Sequence, residues 1–333
     1  MPDGRLVLLA LVILFAFAFD YTNGFHDTAN AIATSVSTHA LSPRLAVGLS
    51  AVFNLAGAFL NTRVADTIGG LVSERIALVA ILAGLVGAIT WNLLTWMWGL
   101  PSSSSHALIG GIIGAALVSI GPSAVKWDTL QTSFGALVSS PIIGLLLGFG
   151  IMLALLWTFR RMAPGPLNKV FRGLQLLSAS FISFSHGGND AQKTMGIITL
   201  ALVTYGALPK FAVPLWVIVV SAAAMALGTY SGGWRIIRTM GTRIIKLDPI
   251  HGFAADLSAS SLITAATHFG LPVSTTHVVS GSLMGVGSTR RLSAVRWGVA
   301  TNIVAAWLIT IPASAAVAAI IYAILHWVLG ISV

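Results

Sequence analysis

Two short polar motifs each occur twice in this 333-residue chain, and they hold most of the residues able to do chemistry in an otherwise apolar sequence. Gly24-Phe25-His26-Asp27-Thr28-Ala29-Asn30 resembles Gly187-Gly188-Asn189-Asp190-Ala191-Gln192-Lys193. Leu100-Pro101-Ser102-Ser103-Ser104-Ser105-His106 resembles Leu271-Pro272-Val273-Ser274-Thr275-Thr276-His277. The first pair supplies carboxylates inside apolar runs, where ionisable groups are costly and mark ion pathways. The second pair supplies a proline followed by hydroxyl residues, the pattern of a helix N-terminus. Free N–H groups, the positive end of the helix dipole and nearby hydroxyls together make an anion site. Two such termini facing each other would hold a tetrahedral oxyanion without a large fixed positive charge. Ser102, Ser103, Ser104, Ser105, Ser274, Thr275 and Thr276 are the candidate anion donors.

Asp27 and Asp190 would repel an anion unless a proton or cation lay between. They are therefore the expected coupling-ion sites, assisted by Asn30 and Asn189. Lys193 takes the place of Asn30 in the second copy, so its ammonium is able to substitute for a bound cation; three residues from Asp190, it also shares that residue's helical face. His26 takes the place of Asn189, and a histidine changes protonation near neutral pH. His106 and His277 are expected to brace the second motif rather than bind metal. Asn54, Asn92, Asp256 and His268 are further polar candidates, and Asp20 reads as a helix end. The Trp91, Trp96 and Trp98 cluster reads as packing or an interface belt.

The elements that position these groups follow from composition. Apolar residues make up 56% of the chain and charged residues 8%, against about 25% charged in a soluble domain. The absence of cysteine rules out disulfides, thiolate metal sites and a thiol nucleophile. A net charge of +9 arises from short basic clusters between apolar runs, the pattern of cytoplasmic loops rather than of a nucleic-acid stripe. The run from Leu6 to Phe19 lacks a clear cleavage site and is expected to belong to the mature fold. Candidate spans are Leu6–His39, Leu45–Asn61, Ile76–Trp98, Pro101–Ile120, Leu130–Phe159, Gly173–Tyr205, Phe211–Thr229, Phe253–Phe269, Pro272–Gly287 and Trp297–Trp327. In lipid these must be helical. The polar motifs are expected to interrupt the first and sixth. Gly99-Leu100-Pro101 and Gly270-Leu271-Pro272 predict hairpin turns. In the second pair, arms of about 16 residues, roughly 24 Å, suit a re-entrant dip better than a full crossing.

Placing the basic loops around Arg160, Arg238 and Arg290 in the cytoplasm puts the N-terminus outside and makes the two halves enter from opposite sides. The fold expected is an all-α polytopic membrane protein of two inverted-topology repeats with broken helices and paired re-entrant hairpins. Residues 1–160 form repeat 1, 161–172 a basic cytoplasmic loop and 173–333 repeat 2. This is the pattern of secondary transporters with a midplane site.

The doubled motifs resemble those of the inorganic phosphate transporter (PiT) family, whose signature, approximately G-A-N-D-V-A-N, is matched at Gly24–Asn30 and Gly187–Lys193. Its P-x-S-[ST]-[ST]-H motif is matched at Pro101–His106 and Pro272–His277. The resemblance covers nearly the whole chain. It implies a multi-pass carrier of inorganic phosphate in a cytoplasmic membrane, dimeric, driven by sodium or protons and needing no cofactor. Ion binding would fall on Asp27, Asn30, Asn189 and Asp190, and phosphate on the hairpin Ser and Thr residues. Three departures stand out. His26 and Lys193 replace signature asparagines, and Asn54 lies where sodium-coupled members have Glu, whereas Asp256 keeps an acid. These favour proton-coupled symport, with a neutral metal–phosphate complex as one form of the cargo. The alternatives are sodium coupling and a sulfate or other oxyanion substrate. An intramembrane Ser-His-Asp hydrolase is disfavoured because every candidate is duplicated, and a channel because paired closed hairpins suit alternating access.

Overall fold

The computed structural model describes residues 4–331, so residues 1–3 and 332–333 of the two expected repeats lie outside the described residues. Among the described residues, twelve α-helices follow one another in an order that repeats halfway along. They are α1 (Gly4–Ser37), α2 (Pro43–Gly57), α3 (Arg63–Gly69), α4 (Leu78–Trp98), α5 (Ser104–Ser119) and α6 (Trp127–Thr158), then α7 (Pro164–Tyr205), α8 (Leu215–Ser231), α9 (Trp234–Arg238), α10 (Pro249–His268), α11 (Thr275–Ser288) and α12 (Trp297–Ala323). Among the described residues there is no β-strand, only an isolated bridge between Val72 and Val125. α1, α4, α6 and α12 are long and apolar enough to cross a membrane, and α8 with the segment after it forms a fifth candidate bent by 60°. Phe134, Leu146 and Leu153 on α6 and Leu308 and Ile320 on α12 are exposed, as lipid-facing side chains would be.

The halves interlock by reciprocal exchange. α5 packs on α12 while α11 packs on α6, and α1 packs on α8 while α2 packs on α7. The latter crossings are made at glycines. A Cβ on Gly24 would stand 2.4 Å from the Met225 carbonyl oxygen, and one on Gly187 would stand 2.1 Å from that of Asn54. Small residues of this kind let helix backbones touch where lipid supplies no hydrophobic driving force.

Both signature motifs lie within unbroken helix: α1 runs through residues 24–30 and α7 through 187–193. The interruptions expected there are absent because the polar side chains find partners on neighbouring helices, so the backbone keeps its own hydrogen bonds. The breaks fall at the hairpins instead. Gly99 and Gly270 adopt left-handed φ of 65° and 70°; Leu100 N–H donates to Thr95 O (3.0 Å) and Leu271 N–H to Ala266 O (2.8 Å), closing each entering helix with a glycine cap. The next residue, Pro101 or Pro272, has no N–H to continue the ladder.

Two helices start well before their apolar runs. α10 spans 20 residues, longer than expected, because a first turn, Pro249–Gly252, precedes the apolar stretch. α7 begins at Pro164, so most of the basic segment 161–172 is helix rather than loop, with proline at the first turn where its missing donor costs nothing.

Candidate functional site

Four segments meet at the interior: the middles of α1 and α7 and the N-termini of α5 and α11. On α1, Asp27 and Asn30 share a face by their i, i+3 spacing. On α7, His186, Asp190 and Lys193 do so by i+4 and i+3. All of these side chains are buried, together with the hydroxyls of both hairpins.

At α11, Ser274 caps the helix by accepting from the His277 N–H at 3.2 Å. The next two hydroxyls reach the carboxylates: Thr275 Oγ1 donates to Asp190 Oδ2 and Thr276 Oγ1 to Asp27 Oδ1, each at 3.2 Å. Asn30 Nδ2 donates to both threonines, at 3.3 and 2.9 Å. One hairpin terminus is therefore wired to the carboxylates of both halves.

At α5, Ser103 caps by accepting from His106 N–H at 3.1 Å, and Ser102 donates to Thr95 at 2.8 Å. Ser105 accepts from Lys193 Nζ at 2.5 Å and itself donates to Val273 O at 3.1 Å. The Lys193 ammonium also bonds Val273 O and Asp190, tying both hairpin tips to α7. Ser104 Oγ is buried with no hydrogen-bond partner among the described residues, as is Asn30 Oδ1. Such groups are costly when left unpaired.

The carboxylates are not equivalent. Asp27 Oδ1 lies 2.8 Å from His26 Nδ1, whose Nε2 meets Thr95 at 3.1 Å. Asp190 has Lys193. Asp27, Asp190 and His186 place one ligand atom each within 4.8 Å of one another. His186 Nδ1 lies 3.0 Å from Asn54 Oδ1, an acceptor because Asn54 Nδ2 is turned to Thr229 Oγ1 at 3.0 Å. The Nε2 of His186 lies 3.5 Å from Asp190 Oδ2, so the ring stands beside both carboxylates. That cluster suits a small cation or a proton.

Not every sequence candidate converges there. Asn189 instead splints the hairpin tip, donating to Thr267 Oγ1 (2.9 Å) and Leu271 O (3.3 Å) and accepting from Val273 N–H (3.4 Å). Asp256 lies apart, accepting from Thr34 at 2.7 Å and Ser178 at 3.0 Å. His106 and His277 pack ring on ring at 4.4 Å, and His277 stacks on Trp307 at 3.9 Å. Asp20, read as a helix end, is buried within α1. His186 was not singled out from sequence, although its position four residues before Asp190 was the signal available.

The phrase that describes the matching family is Phosphate transporter family, and the match covers residues 23–167 and again 160–318. A Rhizobium meliloti protein named "Probable low-affinity inorganic phosphate transporter" is 50% identical over 326 residues, 96% of this chain and 98% of that protein. A Bacillus subtilis protein of the same name is 47% identical over 331 residues, 98% of this chain and 99% of its own. Among solved structures, one described as "The sodium-dependent phosphate transporter" superposes with a TM-score of 0.86 at 26% identity, covering 98% of this chain and 100% of its own. A family match on each half, with relatives near half identity end to end, places the chain in the Phosphate transporter family: it is a multi-pass membrane transporter and not an enzyme.

Proposed function

We propose that the protein is a proton-coupled symporter for inorganic phosphate in the cytoplasmic membrane, built from two inverted repeats and working as a homodimer. Phosphate binds between the hairpin termini, on Ser104, Ser105, Thr275 and Thr276 with the adjacent N–H groups. The observation that carries the coupling is the bonding of Thr275 and Thr276 to Asp190 and Asp27. Hydroxyls serving as phosphate donors must turn away from these carboxylates, which then need a proton or cation in their place. Anion and coupling ion thus load together. The carboxylates also favour phosphate over sulfate, because a protonated phosphate oxygen donates a hydrogen bond to Asp27 or Asp190 and sulfate does not.

Protons are favoured over sodium because the Lys193 ammonium already occupies one cation position beside Asp190. A neutral metal–phosphate complex fits the same logic, since its charge needs no further ion. The sodium reading has its own support in the convergence of Asp27, Asp190 and His186 Nε2 and in the likeness to a transporter described as sodium-dependent.

The test is uptake of labelled phosphate into liposomes holding the purified protein, under an inward proton gradient without sodium and with excess sulfate as competitor. Saturable uptake that sulfate leaves unchanged is expected. Uptake that appears only on adding sodium replaces the proton with sodium. Faster carriage of sulfate overturns the substrate.

A further inference from the structure

A polar cavity lies away from the carboxylates, where α10 and α11 join the loop into α12. Its volume is about 310 Å³, and Lys246, His251, Arg290, Arg291, Ser293 and Arg296 line it. Arg290 pairs with Asp248, and Arg296 donates to Thr242 O at 3.2 Å. Among the described residues no acidic group lies within ion-pairing distance of Lys246, Arg291 or Arg296. The cavity therefore carries a strong positive excess.

Loop charges that only set membrane orientation need water around them, not a cavity. His251 shows that this one is built. The residue is 3% exposed, and neither ring nitrogen has a hydrogen-bond partner among the described residues; Asp248 Oδ2 lies 3.6 Å from Nδ1, too far to serve. Burial, and then the Arg290 charge, push its pKa down to about 4 against the pull of Asp248, so at neutral pH it is an uncharged N–H donor without an acceptor. Nor does the fold demand these residues. Ser293-Ala294-Val295-Arg296-Trp297 repeats Ser123-Ala124-Val125-Lys126-Trp127, and in that register Ile120 and Gly121 stand where Arg290 and Arg291 do. In the register that pairs Leu100 with Leu271, Ala80 takes the place of His251.

We infer that this cavity is a second oxyanion site, which takes a phosphate-type group on Lys246, Arg291 and Arg296 with His251 as the neutral donor. Guanidinium groups match such an oxyanion by paired N–H donors. The group comes either from free phosphate or from the headgroup of an anionic lipid, and the chemistry is the same. An occupant would clamp the root of the α10–α11 hairpin to α12.

The experiment compares wild type with Lys246→Gln/Arg291→Gln, two exposed positions; Lys169→Gln/Arg172→Gln on α7 is the charge-matched control. Labelled inorganic phosphate is counted by equilibrium dialysis in nanodiscs of phosphatidylcholine. Retained lipid is counted by native mass spectrometry after extraction from vesicles containing phosphatidylglycerol. One fewer phosphate per chain in Lys246→Gln/Arg291→Gln alone supports the site with free phosphate as occupant. One fewer retained anionic lipid in that variant alone supports the site with a headgroup as occupant. Equal counts in all three proteins, or equal losses in both variants, overturn it.

Discussion

Asp27 of α1 and Asp190 of α7 bring carboxylate oxygens within 4.8 Å of each other, with a ring nitrogen of His186 inside the same radius. Lys193 pairs with Asp190; under the proposed coupling, Asp27 is the carboxylate that loads and releases the ion. Asp27→Asn is therefore expected to cut gradient-driven phosphate uptake by about 100-fold, roughly 2.7 kcal/mol, with little change in the thermal midpoint. Asp190→Asn strands the Lys193 ammonium and is expected to destabilise the fold by about 3–5 kcal/mol, the range for breaking a buried pair. Uptake and thermal unfolding, measured on both variants, separate the two roles. Full transport by Asp27→Asn would remove Asp27 from the coupling step.

Lys193 stands where the first repeat has Asn30, and its ammonium bonds Asp190, Ser105 and Val273 O. Lys193→Asn restores the first repeat's amide and leaves Asp190 without its resident cation. An external cation is then required there. The expected outcome is uptake that is lost at neutral pH without sodium and recovers when sodium is added. Equal loss with and without sodium would instead make Lys193 a fixed strut between the hairpins.

The crossing glycines give a steric prediction. A methyl at Gly187 would lie 2.1 Å from the Asn54 carbonyl oxygen, and one at Gly24 2.4 Å from that of Met225. Both neighbours are helix backbone and cannot turn aside. Gly187→Ala and Gly24→Ala are each expected to destabilise by about 1–3 kcal/mol, the usual cost of overpacking. Gly48→Ala in α2, with nothing within 4 Å of its added carbon, is expected to stabilise by up to about 1 kcal/mol through helix propensity. Thermal unfolding in detergent reads all three.

Much of this was legible in the sequence because lipid and backbone chemistry leave few options. Apolar runs had to be helices, and Gly-Leu-Pro had to turn. The hydroxyl clusters after Pro101 and Pro272 do begin helices, with Ser103 and Ser274 capping as such residues do. The helix interruptions at Asp27 and Asp190 were misread because a polar run looks the same whether its backbone unwinds or its side chains bond across to other helices. Thr275 and Asn30 do the latter, and their partners lie more than 80 residues away. Asn189 shares its motif with Asp190, yet one residue's rotation along the helix turns it toward α10. His186 escaped notice because its role depends on Asn54, 132 positions distant.

Arg63 and Arg235 form a matched pair of ties between the halves. Arg63 Nη1 donates to His268 O at 2.5 Å and Arg235 Nη1 to Met97 O at 2.7 Å, so each arginine on a short helix holds the last-turn carbonyl of the opposite half's hairpin. Thr67 and Thr239 repeat the exchange on Gly270 O (2.7 Å) and Gly99 O (3.0 Å). A cation at a helix C-terminus contributes about 0.3–1 kcal/mol when exposed, and more when partly buried. Arg63→Ala and Arg235→Ala are each expected to lower stability by about 1 kcal/mol on that scale. Because the two ties share no partner, the double variant should lose the sum of both, as independent sites do. Arg235→Ala should cost the more of the two, since its guanidinium also lies 5.0 Å over the Trp96 ring, a contact worth about 0.5–1 kcal/mol at an exposed site. A double variant much less stable than the sum would show that the two hairpin tips are coupled through the carboxylate cluster, with release of one loosening the other.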